Sequence, residues 1–249
     1  MTDLDDGDWR VRGLTMCTDA DSGRWITDAV RNFEYDVGSL VPPVFEAYAR
    51  IFHPATLHTG PGYDDQIPVR WQDVAAANGT VAHPVMEWGS IVGSWDLDGQ
   101  PGLWDDDPDI GSFPAPQAHA LAAVLAGFTN SPDACWFALC EILNALDVPP
   151  GIERLVMSAR PMIVFRGPLA AADVRFSSFG HGASLWWPDD RAWCVATDVD
   201  LMSTYVGGSA ACIRAVLECP DVEALPVLDT QRVTWDSDSV NPLPTPPSG

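Results

Sequence analysis

The chain has 249 residues, with 13 basic side chains against 35 acidic ones and a formal net charge of −22. Every basic residue is an arginine, which removes Schiff-base and pyridoxal-phosphate chemistry, the phosphate-loop lysine and the kinase-type ATP lysine. Arginines scattered singly in a repulsive field also exclude free nucleic acid as the expected partner.

A hydrophobic content of 47% suits a globular chain able to bury a sizeable core. There is no apolar run of the roughly 18 residues a membrane helix needs, so no membrane association is expected. The start, MTDLDDGDWR, lacks the basic and apolar regions of a signal peptide, and a cytoplasmic protein is expected. Six cysteines form no CxxC pair and read as small buried hydrophobes.

In chain order, residues 1–8 carry four aspartates and are expected to be disordered. Trp9 to Met16 has partial strand alternation, and Trp25 to Tyr35 shows no decisive period. Pro42-Pro43 then introduce VFEAYARIF, where Val44, Ala47, Tyr48 and Ile51 fall at helical spacing and Glu46 and Arg50 form an i,i+4 pair. A helix stopped by His53-Pro54 is expected there. A second helix is expected from Pro68 to Ala77 with a stop at Asn78-Gly79, and a third between His83 and Ile91. Gly93 to Pro116 is rich in Gly, Pro and Asp and reads as a long loop, the credible seam lying within residues 93–112. After it, Ala118, Leu121, Ala122, Leu125 and Phe128 share one helical face.

Downstream the pattern changes to short runs rich in Trp, Phe, Val and Ile. Strands are expected within Ala134–Leu143, Leu155–Ser158, Met162–Phe165, Ser184–Trp187, Ala192–Val199 and Val222–Val227. Gly207-Gly208 read as a tight turn before a helix at about Ser209 to Leu217, with Ser209 as its N-cap. The expected fold is α+β, with helices mainly in the N-terminal half and a mixed β-sheet with a flanking helix in the C-terminal half. One domain spans residues 9–227, followed by a disordered acidic, proline-rich tail at 228–249.

The densest polar and aromatic segment is Trp186 to Asp200. Trp186 and Trp187 are adjacent, so on a strand they face opposite sides, and one of them is expected to approach the surface as a partner contact, together with Asp189, Asp190 and Arg191. Asp198 and Asp200 would share one strand face, and with the Asp189-Asp190 turn could hold Mg²⁺ or Ca²⁺. The alternative to that metal site is a hairpin turn and a solvated acidic face. Two of the five histidines, His53 and His83, precede prolines and read as element boundaries. No GxSxG or HExxH motif is present.

The strings VGSLVPPVFEAYARIFHPA (Val37 to Ala55), VRWQDVA (Val69 to Ala75) and WWPDDRAWCVATDVDLMSTYVGGS (Trp186 to Ser209) resemble a family of uncharacterised actinobacterial proteins. The resemblance implies a cytosolic actinobacterial protein and brings no activity, cofactor or catalytic residue. The leading functional expectation is a non-enzymatic module that binds and neutralises a basic protein without a cofactor. The rival is a divalent-metal-dependent hydrolase or transferase using Asp189, Asp190, Asp198 and Asp200.

Overall fold

The computed structural model describes residues 8–62, 65–94, 99–143, 146–176 and 180–244. It opens with α1 (Asp8–Val11), β1 (Thr15–Met16) and α2 (Arg24–Ala29), followed by β2 (Ala47–Phe52), β3 (Ala55–His58) and β4 (Gln66–Val69). Three helices come next, α3 (Trp71–Asn78), α4 (Trp88–Val92) and α5 (Ala115–Leu125). The strands β5 (Cys135–Cys140), β6 (Leu155–Met157), β7 (Arg160–Gly167), β8 (Leu185–Pro188), β9 (Trp193–Thr197) and β10 (Ser203–Gly208) then lead to α6 (Ala210–Leu217) and β11 (Glu223–Val227).

Nine strands form one sheet in the order β1-β7-β5-β8-β9-β10-β2-β11, with β6 also paired to β7. Every pairing is antiparallel, and β3 and β4 make a separate antiparallel hairpin. This overturns the expected mixed sheet and the expected division of helices from strands. The connections from β6 to β7, β8 to β9 and β9 to β10 are short hairpins, which can join only antiparallel neighbours. The first half contributes four strands, and α1, α2 and α4 have only four to six residues each.

The largest single correction is β2, expected as a helix. Ala49 and Ile51 pack on one side of the sheet and Tyr48 on the other, while Arg50 is buried as well. With both faces covered, the strand shows no apolar-polar alternation, and a six-residue run fits either period. Glu46 and Arg50 do not pair: Glu46 accepts the Ala210 N–H at the start of α6 (2.9 Å). Gly207-Gly208, expected as a turn, end β10 instead. A Cβ on Gly207 would lie 2.5 Å from the Phe45 ring and 2.7 Å from Val41, so only glycine admits that approach.

Each face of the sheet carries its own core. On one side α5 and α6 lay Leu121, Leu125, Ile213 and Val216 over Phe137 and Trp186. On the other, Ile26 of α2 and the segment 37–41 cover Leu185, Trp187 and Tyr205. A third cluster at the β2 end chains Phe52, Trp71, Trp88 and Trp104 through successive ring contacts of 4.9, 5.2 and 5.2 Å. α3 is fixed there by Glu223 of β11, whose carboxylate accepts the N–H groups of Trp71 (2.6 Å) and Gln72 (2.8 Å). An acidic group at a helix start satisfies donors that the helix itself leaves open.

The stretch 93–112 is stitched to its neighbours where it is described. Thr56 N–H donates to the Asp106 carbonyl (2.9 Å), Asp105 N–H to Thr56 (2.7 Å) and Gly111 N–H to Leu201 (3.0 Å). Of the tail 228–249, expected to be disordered, residues 228–244 lie against the body and bury Ser237, Asp238 and Asn241. Residues 245–249, and all of the expected disordered segment 1–8 except Asp8, fall outside the described residues.

Candidate functional site

Trp186 and Trp187 do point to opposite sides of β8, but both sides are covered and each is only 1% exposed. Neither approaches the surface, which corrects the expectation that one of them would. The β8–β9 turn is at the surface, yet its polar groups bind their own chain. Asp189 accepts the Trp136 indole N–H (3.1 Å). Asp190 accepts the Asn130 N–H (2.7 Å) and the Thr129 hydroxyl (2.9 Å). Arg191 takes a left-handed backbone at φ 56° and places its guanidinium 5.5 Å from the Trp25 ring centre. The turn thus clamps the 129–131 loop and the edge of the second core.

Asp198 and Asp200 follow β9 in a turn closed by the Asp200 N–H donating to Asp198 (3.0 Å). Arg160 of β7 reaches both carboxylates, at 3.2 Å and 2.6 Å. A guanidinium fills the position a divalent cation would take between them. Asp189 and Asp190 lie at the other end of β9, about 16 Å away for five residues at about 3.3 Å each. The four carboxylates therefore do not converge on one Mg²⁺ or Ca²⁺. Among the described residues no group of three or more His, Cys, Asp or Glu side chains is placed to hold a metal ion. Burial raises the Asp198 carboxyl above its ordinary value, against the Asp200 N–H and Arg160, which lower it.

The titratable groups inside the molecule are locked by structural bonds. His53 is fully buried, with Nδ1 2.7 Å from the Asp109 carbonyl and Nε2 2.9 Å from the Thr204 hydroxyl. A carbonyl only accepts, so Nδ1 carries the proton and Nε2 accepts from Thr204. Thr204 in turn accepts from Thr197 (2.7 Å). Burial pushes His53 down to about 4, which keeps it neutral.

Arg50 donates to the Ser203 hydroxyl (3.0 Å) and the Met86 carbonyl (2.9 Å) and lies 3.2 Å from Glu87. Burial opposes charge on both partners. The neighbouring Glu87 nevertheless holds Arg50 above its ordinary value, whereas burial keeps the Glu87 carboxyl above its own. Arginine keeps its proton at neutral pH, so Glu87 faces a permanent cation 3.2 Å away. Burial also disfavours the thiolate at four cysteines, pushing Cys135 and Cys212 up to about 12 and raising Cys140 and Cys194.

A cleft of about 730 Å³ lies between α5, β4 and the α6–β11 connection. Its size suits a small ligand, but three of its polar side chains are engaged by their own chain. Arg70 donates to the Pro220 carbonyl, Glu223 caps α3, and His119 lies 3.5 Å from Asp173.

Among the exposed side chains that the sequence did not single out are three aromatics, Phe33, Tyr35 and Trp235. Trp235 sits in a stretch read as a tail. Its one readable signal is Thr234-Trp235-Asp236-Ser237, in which Thr, Asp and Ser can close a turn on one another. Comparisons of the chain with protein-family models, with curated proteins and with solved structures find no match.

Proposed function

We propose that the chain is a binding module for a basic protein, whose acidic surface steers that partner to it and neutralises it. The observation that carries this reading is the fate of the positive charge. At least seven of the 13 arginines are held in ion pairs with the chain's own carboxylates. Arg50 lies among aromatic rings out of reach of solvent. The net charge of −22 is thereby displayed outward, and such a field raises the encounter rate with a cationic partner and repels anionic ones. The reading places the protein in the cytoplasm, where six free thiols suit a reducing compartment, and in the actinobacterial family that its strings resemble. Among the described residues no helix is long and apolar enough to cross a membrane.

The test is calorimetric titration with a 15-residue peptide alternating arginine and leucine, beside its glutamate analogue, at low and high salt. Binding of the cationic peptide alone, weakening steeply as salt screens the field, is expected. Equal binding of both peptides, or affinity indifferent to salt, would contradict the reading.

A further inference from the structure

Resting on that reading, we propose that the basic partner docks on the surface formed by Phe33, Tyr35 and Trp235, where a positively charged segment sets its arginine or lysine side chains against exposed aromatic rings ringed by carboxylates.

The loop after α2 is held with unusual firmness for a surface segment. Arg31 donates to Asp36 (2.9 Å) and Asp229 (2.8 Å), and its backbone N–H donates to Gly38 (2.9 Å). A Cβ on Gly38 would lie 2.3 Å from the Arg31 guanidinium, so glycine is what lets that side chain close over the loop. Asn32 accepts the Ser158 N–H (3.0 Å) and hydroxyl (3.2 Å) from the β6–β7 turn. The Val233 N–H donates to the Tyr35 carbonyl (2.9 Å), and Asp36 bridges to Arg232. Trp235 follows two residues later in a turn closed by Thr234, Asp236 and Ser237. Three anchors from distant parts of the chain thus bring the three aromatics to one region.

On this firm frame the side chains face solvent. Phe33 is 59% exposed, Tyr35 61% and Trp235 59%. Phe33 (φ 64°) and Tyr35 (φ 55°) also adopt the left-handed backbone that glycine and asparagine favour and bulky residues rarely take. Packing gives no return for two exposed rings in strained backbone, and such outliers concentrate at functional sites. Rigid aromatics at a surface are the side chains that dominate protein interfaces.

Charge selects the occupant. Five carboxylates, Asp28, Glu34, Asp36, Asp229 and Asp236, neighbour these residues in sequence against two arginines, Arg31 and Arg232. Arg31 pairs with Asp36 and Asp229 and Arg232 with Asp236, so the acids remain in excess after pairing. The surface therefore offers aromatic faces and carboxylates together, which suits guanidinium or ammonium groups through cation–π contact and ion pairing. A second copy of this chain would bring like charge.

The experiment compares the intact chain with the combined variant Phe33→Gly, Tyr35→Gly, Trp235→Ser, titrated with the alternating arginine-leucine peptide, alongside thermal unfolding and sedimentation. At least a 30-fold loss of affinity is expected, with a melting temperature unchanged or raised, because glycine relieves the strained backbone. Retention of full affinity by the variant would overturn the docking surface while leaving the acidic-module reading intact. No binding of the cationic peptide by the intact chain would overturn both. Self-association of the intact chain that the variant abolishes would overturn the choice of occupant.

Discussion

Two groups of aromatics separate what the chain uses to fold from what it presents. Trp186 and Trp187 are neighbours in sequence and end up on opposite sides of β8, each in its own core. Trp235 lies two hundred residues from Tyr35, yet the bond from the Val233 N–H to the Tyr35 carbonyl brings their backbones into one region, where Phe33, Tyr35 and Trp235 are all exposed. Adjacent aromatics on a strand imply an exposed one only when one sheet face is bare. Here α5 and α6 cover one face and α2 with residues 37–41 cover the other.

The sharpest way to break this contrast is to truncate both kinds of ring. Trp187→Ala should destabilise the fold by about 4 kcal/mol, the usual cost of emptying a buried tryptophan site. Trp235→Ala, being largely exposed, should stay within about 0.5 kcal/mol. Denaturant unfolding measures both, and equal costs would erase the distinction between folding and displayed aromatics.

A smaller effect is expected from acid. His53 is held at about 4, below its ordinary 6.5, so the unfolded chain takes up the proton first. Its share of stability is intact above pH 6.5 and is lost as pH falls toward 4, by about 1.4 kcal/mol per unit and about 3 kcal/mol in all. Glu87, Asp109, Asp198 and Glu223 have raised values, and their effect runs the other way: stability falls as pH rises through them. The difference between the native chain and His53→Gln, followed by thermal unfolding from pH 7 to pH 4, isolates the histidine. A difference that does not shrink with acid would show that His53 is not held neutral.

The smallest effect belongs to the acid pair. Asp200→Asn breaks an exposed contact with Arg160 and should cost less than about 1 kcal/mol. Calorimetry with Mg²⁺ or Ca²⁺ should give no stoichiometric binding to either the native chain or this variant. Tight binding abolished by the substitution would displace Arg160 from the role given to it.

How far this was legible in the sequence depended on locality. α5 and α6 were readable because their apolar faces and the Ser209 cap lie within a few residues, and Ser209 does accept the Cys212 N–H. α3 was readable at its Gly79 end, while its start is set by distant Glu223. The short apolar runs became β5 to β9 and β11, but β2, β3, β4 and β10 were missed. β2 buries Arg50 against Glu87, a pairing between elements that no local pattern displays. The acids around Trp186 were legible as residues and misleading as a site, because Arg160 and the 129–131 loop, which engage them, lie far off in sequence. Phe33 and Tyr35 gave no signal at all, since a left-handed backbone at an aromatic residue is visible only in three dimensions.

The most direct test of the central claim is to map by NMR which backbone amides shift when the alternating arginine-leucine peptide is added. The account predicts that perturbations concentrate in residues 31–36 and 229–237 and spare 186–200. Perturbation centred on the Trp186 to Asp200 segment, with the loop after α2 unmoved, would contradict it.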